Sequence, residues 1–248
     1  MRLLLVNPNT SSGLTERMAS AARLAASAGV EIDVLTAHRG FPYIASRAEA
    51  DIAAAIVLEM LAEHAPGYPA AIVGAFGDPG LAGARELLPI PVVGLAEAAM
   101  LSACMLGSRF AILTFSSTLV PWYRDCVGRN GLGGRCAGVF VAGGGFTTID
   151  NVQAEMAERI VEAAQGVIAE AEADVVVFGG APLAGLAERV KERIPVPVVD
   201  CVAAAVKQAE ALVALRPHKA VAGSFRRPPG KPSTGLAEPL ASLIAGTR

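Results

Sequence analysis

The sequence repeats itself, and this repeat limits the possible folds more than any other feature does. Three segments recur along the chain: Arg2–Ser11 matches Arg109–Thr118, Ala71–Ala75 matches Val176–Gly180, and Pro91–Gly94 matches Pro197–Asp200. The spacing between the two members is nearly the same in all three pairs. We therefore expect two similar lobes, one built by each half of the chain.

Short apolar runs alternate with helical patterns in both halves. Leu3–Val6 is wholly apolar, as is typical of a parallel strand buried on both faces. Further strands are expected at Glu31–Thr36 and Ala70–Ala75. Strands that alternate with helices across Gly-rich turns predict an α/β fold. Here that means two pseudo-symmetric lobes, each a mostly parallel sheet flanked by helices, with the active site in the cleft between them.

The repeat also predicts where the lobes begin and end. Lobe one is expected over residues 1–100 and lobe two over residues 101–208. The remaining tail, residues 209–248, is expected to pack back on lobe one because chain termini usually lie close together. Within this tail the sequence favours a strand at Ala220–Phe225 and a helix at Ser233–Ala245.

Composition excludes several classes of function. The 21 basic and 23 acidic residues leave a net charge of −2, which argues against nucleic acid or an anionic membrane as a partner. Mean hydropathy is high at +0.47, but no apolar run reaches the ~20 residues that a spanning helix needs. No segment resembles a signal peptide, and the four cysteines lack CxxC spacing. We expect a cytoplasmic protein with free thiols.

The candidate ligand site follows from the rule that ligands bind at the carboxyl ends of parallel strands. The substrate-binding candidates from the strand ends are Asn9, Ala75, Phe76 and Gly77 in lobe one, and Thr114, Ser116, Ser117, Gly180, Ala181 and Pro182 in lobe two. Small residues let backbone N–H groups approach a ligand, and helix N-termini favour negative charge. The loops therefore predict a small anionic or carbonyl-rich ligand, although the Ser and Thr residues could equally be helix caps.

Several motifs resemble one known family. They are Val6–Thr10, Phe76–Leu81, Pro91–Gly94 with Glu97–Ala99, and Pro197–Asp200. They resemble the aspartate/glutamate/hydantoin racemase superfamily, with the hydantoin and allantoin racemases as the nearest branch. The resemblance extends over nearly the whole chain, in order, and includes the duplication. It implies a homo-oligomer, since members of this family often are oligomeric.

The resemblance also implies a mechanism that this chain lacks the groups to perform. In hydantoin racemases two cysteines, one in each lobe, act as bases on opposite faces of the substrate carbon. The matching positions here hold Ala75 and Gly180. Four cysteines stand elsewhere, at positions 104, 126, 136 and 201, and only Cys201 has a plausible path to the cleft. Because inversion needs a base on each face, loss of both thiols should abolish racemisation.

A different reaction on a similar ring is therefore expected. No cofactor or metal is expected, because the Gly143–Gly145 cluster lacks GxGxxG spacing and three histidines form no metal motif. Without thiol or metal, the sequence favours hydrolytic removal of sulfur from a thiohydantoin carboxylic acid, a small anionic cyclic substrate. Two alternatives stay open: a hydantoin or amino-acid racemase or isomerase that uses another base, and a non-catalytic small-molecule binding protein.

Four side chains are candidates for specific roles in that reaction. Asp78 and His38 are the candidate water-activating groups, although Asp78 also fits an ordinary turn or helix cap. Arg47 could bind a substrate carboxylate in bidentate fashion, and Tyr43 could cover the ring. Arg47 fits a solvated first-turn helix residue equally well.

Overall fold

The computed structural model describes residues 1–247, in which two separate four-stranded parallel sheets are formed. The first sheet contains β1 (Arg2–Asn7), β2 (Glu31–Thr36), β3 (Ala71–Val73) and β4 (Val92–Gly94). The second contains β5 (Phe110–Thr114), β6 (Cys136–Val141), β7 (Val175–Phe178) and β8 (Val198–Asp200). The strand orders are β2-β1-β3-β4 and β6-β5-β7-β8, so the second sheet reproduces the topology of the first. The predicted fold class is confirmed.

Helices flank both sheets. They are α1 (Ser12–Ala25), α2 (Arg47–His64), α3 (Leu81–Leu87), α4 (Leu95–Leu106), α5 (Val120–Arg129), α6 (Val152–Ala171), α7 (Leu186–Val190), α8 (Cys201–Leu215) and α9 (Glu238–Ala245). The first two begin at serine N-caps, where Ser11 accepts a hydrogen bond from the Leu14 N–H and Ser46 accepts one from the Glu49 N–H. These caps satisfy backbone donors that the helix itself leaves unpaired.

The central strands form the core because they are apolar on both faces. Leu3, Leu5 and Val6 of β1 are fully buried, as are all five residues of β5. A parallel strand covered on both sides by helices has no polar face, which explains the uninterrupted apolar runs in the sequence.

The two lobes exchange helices. The helix α4 follows the last strand of the first sheet but packs on β7 and β8 of the second. Conversely, α8 follows the last strand of the second sheet and packs on β3 and β4 of the first. The two helices also contact each other. The lobe boundaries at residues 100 and 208 stay a prediction, but this exchange shows that the two halves share their core.

The tail differs from the prediction in two respects. Helix α9 packs on α2 of lobe one but begins at Glu238 instead of Ser233. Ala220–Phe225 contains bends and turns, so the predicted strand is wrong. Gly223 has φ +78°, which interrupts an extended chain, and Val221 is 89% exposed. A run of small residues with no sheet edge beside it gains nothing from extension. Arg248, the last residue of the predicted tail, lies outside the described residues.

Among residues 1–247, no helix combines the length and the apolar character that crossing a membrane requires. All four cysteines are free in this part of the chain.

Candidate functional site

A small cavity lies between the lobes, at the carboxyl ends of both sheets; we call it the central cleft. Its lining consists of Asn9, Leu14, Tyr43, Ile44, Ala75, Phe76, Phe115, Leu119, Trp122, Tyr123, Gly180, Ala181 and Pro182. Ala75 and Gly180, which follow equivalent strands of the two sheets, therefore face the same space. The strand-end argument correctly brings the two lobes' loops to one place.

The central cleft is small and mostly apolar. Its volume is about 20 Å³, little more than the space that one water molecule needs. Aromatic rings form much of its wall: the ring centroids of Phe76 and Tyr123 lie 4.6 Å apart, and those of Trp122 and Tyr123 lie 5.5 Å apart. A five-membered ring can therefore enter only if the side chains or the lobes move.

Asn9 joins two loops at the edge of the central cleft. Its Nδ2 donates to Asn7 Oδ1 at 2.7 Å, and its Oδ1 accepts from the Ile44 N–H at 2.9 Å. The loop between β2 and α2, which carries Tyr43, is thereby fixed against the end of β1. Asn9 is 3% exposed, so its role in the closed cleft is chiefly to hold this loop.

Gly180 sits in a backbone conformation that excludes side chains. Its φ of +128° lies in the region that glycine alone adopts easily. A Cβ at this position would stand 2.8 Å from Cε1 of Phe115 and 3.4 Å from the Tyr123 hydroxyl. The glycine is therefore built into the backbone and the packing around it, and a larger residue would disturb both.

Burial favours the neutral form of three ionisable groups in or near the central cleft, Tyr123, Cys201 and Cys126. Burial raises the pKa of the Tyr123 phenol well above its usual value, and the nearby Thr114 hydroxyl only partly opposes this. Burial likewise raises the pKa of the Cys201 thiol far above its usual value and that of Cys126 to about 12. The surroundings of the cleft therefore offer hydrogen-bond donors rather than charges.

A second, larger and more open space, the outer cavity of about 460 Å³, adjoins the central cleft at Trp122. Its wall carries two ion pairs: Arg47 with Asp125, and Arg85 with Glu97. The first pair bridges the lobes, because Arg47 begins α2 and Asp125 lies on α5, with Arg47 Nε 2.5 Å from Asp125 Oδ2. Arg47 thus faces solvent and the other lobe rather than the central cleft.

Replacing Arg47 by alanine tests its proposed role toward an anionic substrate. The side chain is 58% exposed, and exposed ion pairs contribute little to stability. We therefore expect wild-type thermal stability. Arg47 lines the outer cavity, which adjoins the central cleft at Trp122, so a ring carboxylate that extends into the outer cavity would lose its partner in the variant, and the KM of such a ring should rise. A matched neutral ring should keep its KM. Equal KM values for both rings in the variant and the wild type would remove Arg47 from substrate binding.

Asp78 caps a helix instead of facing the central cleft. Its two carboxylate oxygens accept hydrogen bonds from the Ala96 and Glu97 N–H groups, each at 2.8 Å, at the start of α4. Its backbone is strained, with φ +55°. Gly94 leaves room for the carboxylate, since a Cβ there would lie 2.5 Å from both of its oxygens.

In lobe two an aspartate also caps the helix that follows the last strand, but it stands at a different position of the repeat. The residue that matches Gly94 in the repeat is Asp200, which caps α8 directly through the Val202 and Ala203 N–H groups. The residue that matches Asp78 is Leu183, which is buried and apolar. Each lobe thus uses one aspartate to cap the helix after its last strand. For α4 this aspartate lies on the loop after β3, and for α8 it lies at the end of β8.

The Asp78 carboxyl makes stability depend on pH. Burial raises its pKa to about 7, the Ala96 and Glu97 N–H groups oppose this, and the Glu97 charge adds to it. The folded state therefore holds the proton more tightly than the unfolded state, and stability falls as pH rises toward 7. Between pH 5 and 6.5 the free energy of unfolding should decrease by about 2 kcal/mol more in the wild type than in Asp78→Asn. Urea denaturation of both proteins at both pH values measures this difference. An equal change in the free energy of unfolding in the wild type and in Asp78→Asn would contradict the prediction.

The structure assembles some of the sequence-predicted residues and leaves others apart. At the central cleft lie Asn9, Tyr43, Ala75, Phe76, Gly180, Ala181 and Pro182. At the outer cavity lie Arg47, Gly77 and Asp78. Four predicted residues line neither cavity. His38 and Ser117 are exposed, and the Ser116 hydroxyl is hydrogen-bonded to that of Thr118. Thr114 is buried at the end of β5. Asp78 and His38 are thus not brought together as a water-activating pair, and their catalytic role stays a prediction.

Sequence reasoning missed five residues of the central cleft: Leu14, Ile44, Phe115, Leu119 and Tyr123. Leu119 and Tyr123 lie one helical turn apart at the start of α5, and this spacing on one helical face could have identified them. Phe115 lies in the loop before that helix. No group of three or more metal-ligating side chains occurs in the described residues.

Comparison with known proteins places the chain. Residues 3–209 match the Asp/Glu/Hydantoin racemase family. A hydantoin racemase from Paenarthrobacter aurescens is 32% identical over 93% of this chain and 99% of its own. Allantoin racemase structures from Pseudomonas fluorescens and Klebsiella pneumoniae superpose with TM-scores of 0.88 and 0.90, at 35% and 33% identity, covering 95% and 98% of this chain and 100% and 98% of theirs. These relatives favour the racemase-type alternative over removal of sulfur. The chain belongs to the Asp/Glu/Hydantoin racemase family.

Proposed function

We propose that this protein is an enzyme of the hydantoin racemase type, which binds a five-membered cyclic ureide such as hydantoin or allantoin in the central cleft and inverts the ring carbon beside a carbonyl. The observation that carries this proposal is the end-to-end similarity to hydantoin and allantoin racemases, above 30% identity. The meeting of Ala75 and Gly180 across one cleft supports it, because inversion requires access to both faces of the ring.

The lining of the central cleft limits how the proton can move. Among the described residues that line it, the ionisable side chains are Tyr43 and Tyr123. Neither Ala75 nor Gly180 can accept a proton. Inversion would therefore rely on phenol groups or on water, and we expect it to be slower than in an enzyme with two thiols.

A second candidate is hydrolytic removal of sulfur from a thiohydantoin carboxylic acid. One observation favours it: no thiol, carboxylate or imidazole lines the central cleft among the described residues. Addition of water to a ring carbon requires that this carbon be polarised. Unlike inversion, it does not require a base on each face of the ring. A non-catalytic binding protein would use the same cavity without turnover.

One set of incubations separates these three functions. Purified protein is incubated in D₂O with a single enantiomer of allantoin or of a 5-substituted hydantoin, and separately with a 2-thiohydantoin acid. Loss of optical rotation together with deuterium at the ring carbon supports the racemase. Sulfide release without loss of rotation supports the second candidate. Saturable binding of these rings with neither reaction would contradict both catalytic proposals.

A further inference from the structure

We propose that the Tyr123 hydroxyl is a catalytic group of this protein, donating a hydrogen bond to the ring oxygen or sulfur on which negative charge develops. This inference rests on the proposed function, since it requires a cyclic ureide or thioureide in the central cleft. It assigns a chemical role to a residue outside the strand-end loops from which the other candidates come.

The first step of the argument is the position of the hydroxyl. Tyr123 lies on α5, and its ring is held against Phe76 at 4.6 Å between centroids. Its hydroxyl oxygen stands 3.4 Å from the point that a Cβ of residue 180 would occupy. The other two nearest atoms to that point are ring carbons of Phe115. The phenol is therefore the polar side-chain group next to the empty position of lobe two.

The second step is that Gly180 cannot serve instead. Its φ of +128° and the proximity of Phe115 leave no room for a side chain. The position that a side chain of Gly180 would occupy therefore lies between the edge of the Phe115 ring and the Tyr123 hydroxyl.

The third step concerns the state of that hydroxyl. Tyr123 is 2% exposed, and its burial raises the pKa of the phenol well above the usual value. The group therefore keeps its proton at neutral pH and can donate it into a hydrogen bond. Among the apolar side chains that line the cleft, a fixed donor stabilises developing negative charge more than it would in solvent. Both an enolate oxygen and the sulfur of an opening thioamide carry such charge.

The test compares three proteins: the wild type, Tyr123→Phe and the control Tyr68→Phe. Phenylalanine keeps the ring that packs on Phe76 and removes only the oxygen. Tyr68 hydrogen-bonds Asp33 on the far side of lobe one and lines neither cavity at the lobe interface. Ring binding is measured through the fluorescence of Trp122, the one tryptophan of the chain, with allantoin and a 2-thiohydantoin acid as probes.

We expect Tyr123→Phe to lower kcat by about 10²- to 10³-fold, as removal of one oxyanion donor does, while Tyr68→Phe changes nothing. Ring affinity should fall about three- to tenfold. The wild type should lose activity at high pH as the phenol ionises, and Tyr123→Phe should lack that alkaline limb, which a purely structural role would not produce.

The possible failures are distinguishable. If the probe rings leave Trp122 fluorescence of the wild type unchanged, the proposed function falls and this inference falls with it. If the wild type turns a ring over while Tyr123→Phe stays within threefold of its kcat and affinity, this inference alone is overturned. If the wild type binds a ring without turning it over, the proposed function fails and this inference fails with it.

Discussion

Replacing Gly94 by alanine is expected to destabilise the protein by about 4 kcal/mol or more. A Cβ at this position would overlap the Asp78 carboxyl, with both oxygens 2.5 Å away. Asp78 is buried and already bonded to two N–H groups, so it cannot move aside without leaving them unpaired. Overpacking costs about 1–3 kcal/mol, and a lost cap and an unsatisfied buried group add to this.

The control for this variant is Gly166→Ala in α6, where a Cβ would meet nothing within 4 Å. A partly exposed mid-helix glycine changed to alanine should stabilise by about 0.5–1 kcal/mol. Urea denaturation of both variants at pH 7 gives the comparison. A change below about 0.5 kcal/mol in Gly94→Ala, well under the overpacking cost, would contradict the packing described here.

The repeat supplies a rescue for the same site. Lobe two places its aspartate at the position of Gly94 and a leucine at the position of Asp78. The double variant Gly94→Asp, Asp78→Leu should therefore recover part of the stability that Gly94→Asp alone loses, because the carboxyl introduced on the strand end would cap α4 as Asp200 caps α8. The recovery is incomplete because leucine is disfavoured at the φ of +55° that residue 78 adopts. If the double variant loses as much stability as the two single variants together, the lobes are not equivalent at this site.

The second large effect concerns a thiol at either of the two facing positions of the central cleft. Ala75→Cys should fold with stability close to that of the wild type, because Ala75 borders the cavity. When deprotonated, the new thiol would supply one base, and a positioned base contributes about 10²- to 10⁴-fold. Burial disfavours the thiolate, as it does at Cys201 and Cys126, so the gain should grow with pH. We expect exchange of the ring hydrogen of a 5-substituted hydantoin for deuterium to accelerate within this range without a matching gain in inversion, since one base serves one face.

Gly180→Cys should behave differently. A non-glycine residue at φ +128° costs about 1–3 kcal/mol of strain, and the overlap with Phe115 adds a similar amount.

Mass spectrometry of the ring measures deuterium exchange, polarimetry measures inversion, and urea denaturation measures the stability of each variant. Ala75→Ser is the matched control for Ala75→Cys, because serine has nearly the same size as cysteine and is a much weaker base. Equal exchange rates in Ala75→Cys and Ala75→Ser, or wild-type stability in Gly180→Cys, would contradict this reasoning.

The sequence predicted those parts of the molecule that depend on local patterns. Apolar runs such as Leu3–Val6 identify strands, and the repeat correctly implied two sheets with facing loops at Ala75 and Gly180. The site was harder, because side-chain roles depend on partners distant in sequence. Asp78 resembles a catalytic acid until the Ala96 and Glu97 N–H groups, which lie 18 and 19 residues away, are placed beside it.

Tyr123 is the converse case. Its proposed role depends on the conformation of Gly180 and on the ring of Phe76, neither of which a single sequence displays. The tail illustrates a third limit: Ala220–Phe225 has the residues of a strand, but a strand also needs an edge to join, and that is decided by the rest of the fold.

The exchange of α4 and α8 makes the two halves mutually dependent. If the peptide were severed in the short connection between α4 and β5, the fragment from lobe one would carry a helix whose apolar side fits the other fragment's sheet, and would lack the α8 that shields its own. Each piece would expose a hydrophobic surface that only the other can cover. Admitting a ring by separating the lobes would expose these same surfaces, so movement of side chains or a small displacement of the lobes costs less.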